Sequence, residues 1–139
     1  YGMARPVNLK NRSIEVIQGD SPDTVMTSPV PDTTKGTVAL MRPPEESVRR
    51  VAEPALPTWI VLPRYQPDSE PLLETHSKAR TFMLIADQSF NYNVHGRSGF
   101  DAVGDLVEQC SCYQFTYSRL SDAESILADL LVRAGNAPN

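Results

Sequence analysis

Residues Leu56 to Tyr65 read LPTWIVLPRY, and no other decapeptide in the chain constrains the architecture as tightly. Its centre, Trp59-Ile60-Val61-Leu62, is apolar at every position, so both alternating faces of a strand built from it are apolar. Such a strand needs cover on both faces of its sheet, which points to an α/β layer fold. Pro57 and Pro63 bracket the run, which predicts a short, central strand. It leads directly into Arg64 and Tyr65. In open α/β sheets ligands bind beyond the carboxyl ends of the strands, and a guanidinium there suits an anionic group.

Outward from this run, two further stretches read as strands. Gly36-Thr-Val-Ala-Leu-Met41 is a second buried candidate. Cys112 to Tyr117 alternates, with Tyr113, Phe115 and Tyr117 on one face and Gln114 and Thr116 on the other. Glu70 to Glu74 reads as an edge strand because Pro71 does not fit a central one. Arg5 to Asn11 reads as extended.

Helices fill the intervals. A short one follows Ser13 as its cap, and another runs from about Pro44 to Ala52, with Glu45 and Glu46 at its start and Arg49 and Arg50 at its end. From Ser77, residues Ala79, Phe82, Met83, Ala86 and Phe90 share one helical face. Asn91 to Gly99 reads as a loop. Ser98 then caps a helix carrying Phe100, Val103, Leu106, Val107 and Cys110. The last helix has Ser121-Asp-Ala-Glu124 as a capping box, an apolar stripe at Ala123, Ile126, Leu127, Leu130, Leu131 and Ala134, and Gly135 as a left-handed terminator. Residues 20–34 are rich in Pro, Asp, Ser and Thr and predict a flexible loop. The expectation is one α/β domain over residues 1–139, with a mixed sheet of about four to five strands and three to four helices.

Composition narrows the function classes. A length of 139 residues suits a single core. A net charge of -4 argues against a general nucleic-acid binder. No apolar run approaches the roughly 20 residues of a membrane span, so neither nucleic acid nor membrane is an expected partner and the cytoplasm is the expected compartment. Cys110 and Cys112 are the only cysteines. They read as buried free thiols, since a metal site needs more ligands and neighbours at this spacing rarely form a disulfide.

No Gly-x-x-x-x-Gly-Lys-[Ser/Thr] loop is present; Lys35-Gly36-Thr37 lacks the preceding glycine. Gly96-Arg-Ser-Gly99 before a helix could offer amide hydrogens to an anion, but one such loop is a weak signal and a plain helix entry is the favoured reading. His76 and His95 have no nucleophile and orienting acid at telling spacings, and the paired carboxylates Glu45-Glu46 and Asp122/Glu124 sit where helix starts favour negative charge. The basic residues are placed more suggestively. Lys10 ends an extended segment, Arg42 and Arg64 follow strands, and Lys78 and Arg80 open a helix. If the strands before Arg42 and Arg64 are parallel neighbours, the two guanidinium groups emerge at one edge, as a phosphate-bearing ligand requires. These five form the candidate nucleotide or phosphate rim; solvated surface charge is the competing reading. No catalytic residue and no metal ligand stands out.

The ordered phrases carry a resemblance. Arg5-Pro-Val-Asn-Leu-Lys-Asn-Arg-Ser-Ile14, Gly36-Thr-Val-Ala39 with Pro43-Pro-Glu-Glu-Ser-Val-Arg49, Trp59-Ile-Val-Leu-Pro-Arg-Tyr65, Ser77-Lys-Ala79 through Ser89-Phe-Asn-Tyr92, and Gly99-Phe100 through Cys110-Ser-Cys-Tyr113 with Tyr117-Ser118 resemble blocks of bacterial kinases related to HPr kinase/phosphorylase, in the branch called HprK-related kinase A. Glu74-Thr-His-Ser77 departs from that pattern and weakens any role for His76. The resemblance implies a partial core like that of phosphoenolpyruvate carboxykinase, within a P-loop kinase lineage. It implies ATP and Mg2+ for a longer parent protein, held by segments preceding the Arg5-Pro6 block; the start at Tyr1-Gly2-Met3 without an initiator Met fits that expectation. The chain would then be the C-terminal region of a serine protein kinase, without cofactor and inactive alone. Its partners would be the parent's protein substrate, including a small PqqD-like protein, and further copies of itself in a homo-oligomer. Two other readings stay open: a non-catalytic protein-binding module, and a small enzyme acting on a phosphorylated metabolite through Arg42 and Arg64.

Overall fold

The computed structural model describes residues 3–135, with side chains through residue 133. These divide between Leu56 and Pro57 into two compact units, each with its own sheet. The described residues form a mixed α/β structure of six strands in two three-stranded sheets and five helices. One sheet of four to five strands is therefore replaced by two smaller ones.

In the first unit, β1 (Val7–Lys10) leads into α1 (Arg12–Asp20), followed by β2 (Val30–Thr33), β3 (Gly36–Met41) and α2 (Glu45–Arg49). The sheet order is β1-β3-β2, antiparallel throughout. β2 lies inside the stretch expected to be a loop, and Met26 adds an isolated bridge to Met41. Thr27 is also bound there: its amide donates to the Leu40 carbonyl at 3.0 Å and its hydroxyl accepts from the Leu40 amide at 3.0 Å. Leu9, Ile14 and Ala39 form the core, with Ile17, Met26 and Met41 packed against it.

Helix α1 begins two positions earlier than a Ser13 cap requires. Asn11 is its N-cap, with φ 48°. The Asn11 amide donates to the Thr37 carbonyl at 2.8 Å, and its Oδ1 accepts from the Thr37 amide at 3.0 Å. The Ser13 hydroxyl instead donates to the Lys10 carbonyl at 2.7 Å. Gly36 turns into β3 with φ +81°, and a Cβ there would run into the Asn11 side chain. Two left-handed residues thus close the α1–β3 junction against each other.

The second unit contains β4 (Trp59–Tyr65), β5 (Leu72–Thr75), α3 (Lys78–Gln88), α4 (Tyr92–Gln109), β6 (Ser111–Tyr117) and α5 (Leu120–Gly135). The order is β4-β6-β5, with β4 parallel and β5 antiparallel to β6. The apolar run at Trp59 is thus an edge strand, and β6 is central. Its greasiness still has a cause. Ile60 and Cys112 face Val103, Val107, Phe82 and Ile85 of α4 and α3. On the other face of β6 Phe115 is buried, and α5, whose Leu130 is buried, packs on the same strand. Both faces need apolar side chains although one backbone edge stays open.

Pro63 fits that edge. The Ser111 amide donates to the Thr58 carbonyl and the Gln66 amide to the Tyr117 carbonyl, so even-numbered residues of β4 turn their backbone groups toward β6. Odd-numbered Pro63 faces away, where a missing N–H breaks no ladder bond.

The helices depart from the periodic reading in orientation and in caps. Thr81, Phe82 and Ile85 point inward from α3, whereas Met83 and Phe90, expected inside, are exposed. Helix α4 begins at Tyr92, inside the expected loop, and breaks at Gly96 (φ 49°, ψ -124°); the Ser98 hydroxyl donates to the His95 carbonyl at 2.8 Å and caps nothing. Helix α5 starts at Leu120. Asp122, not Glu124, closes the first turn by accepting from the Arg119 amide at 3.1 Å, and Gly135 is the last helical residue.

Candidate functional site

The five rim residues do not converge within either unit. Lys10 pairs with Val38 near the start of β3, whereas Arg42 follows Met41 at its end. They therefore stand at opposite ends of one small sheet. The Lys10 amide donates to the Ser13 hydroxyl at 2.8 Å. Arg42 lines a shallow cleft with Asp23, Met41, Pro43 and Glu45; two carboxylates beside one guanidinium do not suit a phosphate.

In the second unit Arg64 lies beside Thr116, toward the carboxyl ends of the parallel pair β4 and β6. Lys78 and Arg80 follow β5, which runs antiparallel, so they emerge at the other end, near the start of β6. Lys78 is already engaged: its Nζ donates to the Glu108 carbonyl and stands 3.6 Å from the Glu108 carboxylate. Arg42 and Arg64 belong to different sheets, so the parallel-neighbour arrangement that would bring them to one edge does not occur. Arg64 and Tyr65 also alternate to opposite sheet faces. Tyr65 meets Tyr117 edge-on at 5.9 Å between ring centroids, and Tyr117 stacks on Phe115 at 5.3 Å.

The polar cluster built on a buried side chain lies where β5 enters α3, and only part of it was visible in the sequence. Thr81 is fully buried. Its hydroxyl donates to the Ser77 carbonyl at 3.0 Å, and its oxygen lies 2.9 Å from His76 Nδ1. A threonine hydroxyl has one hydrogen, and Ser77 takes it. With the hydroxyl hydrogen assigned to Ser77, His76 Nδ1 is assigned as the donor to Thr81. The His76 amide donates to the Cys112 carbonyl at 2.8 Å, anchoring the ring to the central strand. A threonine one turn after a helix start, able to bond back to the carbonyl four residues earlier, is the signal that could have found it.

Both cysteines are free and buried, as their spacing suggested, although Cys110 caps α4 while Cys112 lies in β6. The Cys110 thiol donates to the Pro57 carbonyl at 3.4 Å and the Cys112 thiol to the Cys110 carbonyl at 3.8 Å. Burial, then the neighbouring Cys112, push the Cys110 thiol above its ordinary value, with Lys78 pulling the other way. A thiol so held is a poor nucleophile. His76 orients no nucleophile, since Thr81 Oγ1 is spent on Ser77. Among the described residues no group of three or more His, Cys, Asp or Glu could hold a metal ion. No helix among them is long and apolar enough to cross a membrane.

No family model, no curated protein and no solved structure matches the chain. The arrangement thus supplies a well-fixed histidine, a low-reactivity thiol pair and dispersed cations, alongside exposed apolar side chains on α3, α4 and α5.

Proposed function

We propose that this chain is the C-terminal region of an HPr-kinase-like serine protein kinase, contributing protein contacts while ATP and Mg2+ are held by other parts of the parent. The sequence blocks that carry the resemblance fall on regular elements in order: β1 with α1, β3 with α2, β4, α3, and α4 with β6. A partial core like that of phosphoenolpyruvate carboxykinase belongs to the same proposal. The observation that carries the division of labour is the dispersal of the cations, which stand at opposite ends of each small sheet. Phosphoryl transfer needs converging positive groups around the transferred phosphate, and neither unit offers them. The parent's protein substrate, including a small PqqD-like protein, is the partner this reading names.

Calorimetric titration of the chain with Mg-ATP tests it. The expected result is no measurable heat of binding; micromolar affinity would overturn the assignment. A free-standing protein-binding module is the second reading, favoured by the exposed Phe90, Val94 and Leu131. The coding sequence ahead of Tyr1 separates the two. A glycine-rich loop ending in Lys-Ser or Lys-Thr supports the kinase, and a reading frame opening at Tyr1 supports the module.

A further inference from the structure

Helix α3 exposes a stripe that its own unit does not use. Arg80, Met83, Leu84 and Asp87 recur at helical spacing and all are exposed, while Thr81, Phe82 and Ile85 occupy the opposite, inward side. Met83 is 67% and Leu84 46% accessible, and Phe90 just beyond the helix is 97% accessible. Among the described residues, Arg80 and Asp87 have no ion-pair partner; Asp87 accepts only from its neighbour Gln88, at 3.2 Å.

The order along the stripe is cation, apolar, apolar, anion. Reversing the helix direction maps this pattern onto its own complement. Positions 80 and 87 are equidistant from the midpoint between 83 and 84, as an isologous twofold contact requires. We propose that α3 pairs with α3 of a second copy of this chain, antiparallel about a twofold axis between Met83 and Leu84. Met83 then meets Leu84 of the second copy, and Arg80 meets its Asp87, so one contact contains two ion pairs flanking an apolar centre. The charged positions lie about 10 Å apart along the helix, which keeps both pairs at the rim, where they set register and partner choice. Charge complementarity selects a copy of the same chain over an unrelated apolar partner, because the complementary sequence is the chain's own. The inference does not depend on the kinase reading.

Sedimentation equilibrium on the full chain tests it, with circular dichroism to verify that each variant is folded. The wild type is expected to dimerise reversibly, weakly, and less at high salt. Arg80→Asp sets carboxylates against carboxylates at both rim pairs, and Asp87→Arg sets cations against cations. Each is expected to raise the dimer dissociation constant at least tenfold, since two attractions become two repulsions. An equimolar mixture of the two variants restores association by forming the heterodimer, as does the double variant R80D/D87R. A wild type that stays monomeric up to about 1 mM, where weak contacts still register, overturns the proposal. So does unchanged dimerisation of either single variant, or failure of the mixture to recover it.

Discussion

Replacing Thr81 with valine conserves shape while deleting the one fully buried polar side chain of the described core. Two hydrogen bonds disappear, and their costs differ. The Ser77 carbonyl loses the hydroxyl but keeps the Thr81 amide at 2.9 Å, so that loss is about 0.5 kcal/mol. His76 Nδ1 loses its only acceptor; the ring is half-buried, so water replaces the bond in part and the loss is about 1 kcal/mol. The sum, about 1.5 kcal/mol, corresponds to a fall in melting temperature of about 6–12 °C for a unit of this size. Urea unfolding followed by circular dichroism measures it. The decisive quantity is the coupling with His76→Ala in a double-mutant cycle, expected at about 0.5–1 kcal/mol. Strict additivity would show that the imidazole and the hydroxyl do not interact, and the protonation assigned to Nδ1 would go with it.

Gly36→Ala should destabilise the first unit by about 2 kcal/mol, about half from the left-handed backbone and half from displacing the Asn11 amide that holds Thr37; an unchanged urea midpoint would refute this. The raised Cys110 thiol has a pH consequence. Above its ordinary 9.0 the unfolded chain releases a proton that the folded chain retains, so stability is intact below that value and falls as pH climbs beyond it. Cys110→Ala should flatten that decline, and denaturant midpoints between about pH 8 and pH 10 measure the slope.

Much of the local structure was readable from the residues because local rules decide it. The alternation of Cys112 to Tyr117 and the period of Ala123 to Leu130 located β6 and α5, and Pro71 correctly marked β5 as an edge. The pairing of strands obeys no local rule. An apolar run such as Trp59-Leu62 reports that both sheet faces are covered and is silent on which backbone edge is paired, so β4 read as central. β2 escaped notice because it pairs through Val30 and Thr33 around an irregularity, which erases alternation. The caps shifted by two residues where several polar side chains compete, as at Asn11 against Ser13 and Asp122 against Glu124. Within the second unit the rim residues separate for a topological reason: β5 reverses direction before α3 and carries Lys78 and Arg80 away from Arg64. Met83 and Phe90 were placed inside because hydropathy cannot distinguish a buried residue from one that is merely apolar.

The proline at position 63 has an effect on how this polypeptide meets others. An incoming strand laid along β4 would find amide donors at Trp59, Val61 and Tyr65 but none between the last two, so a continuous intermolecular ribbon is interrupted near its middle. Cross-β growth from that margin is discouraged by the missing amide beside the charge of Arg64, and encounters between molecules are diverted to side-chain contacts, which can be reversible and register-specific where stacked backbones are not.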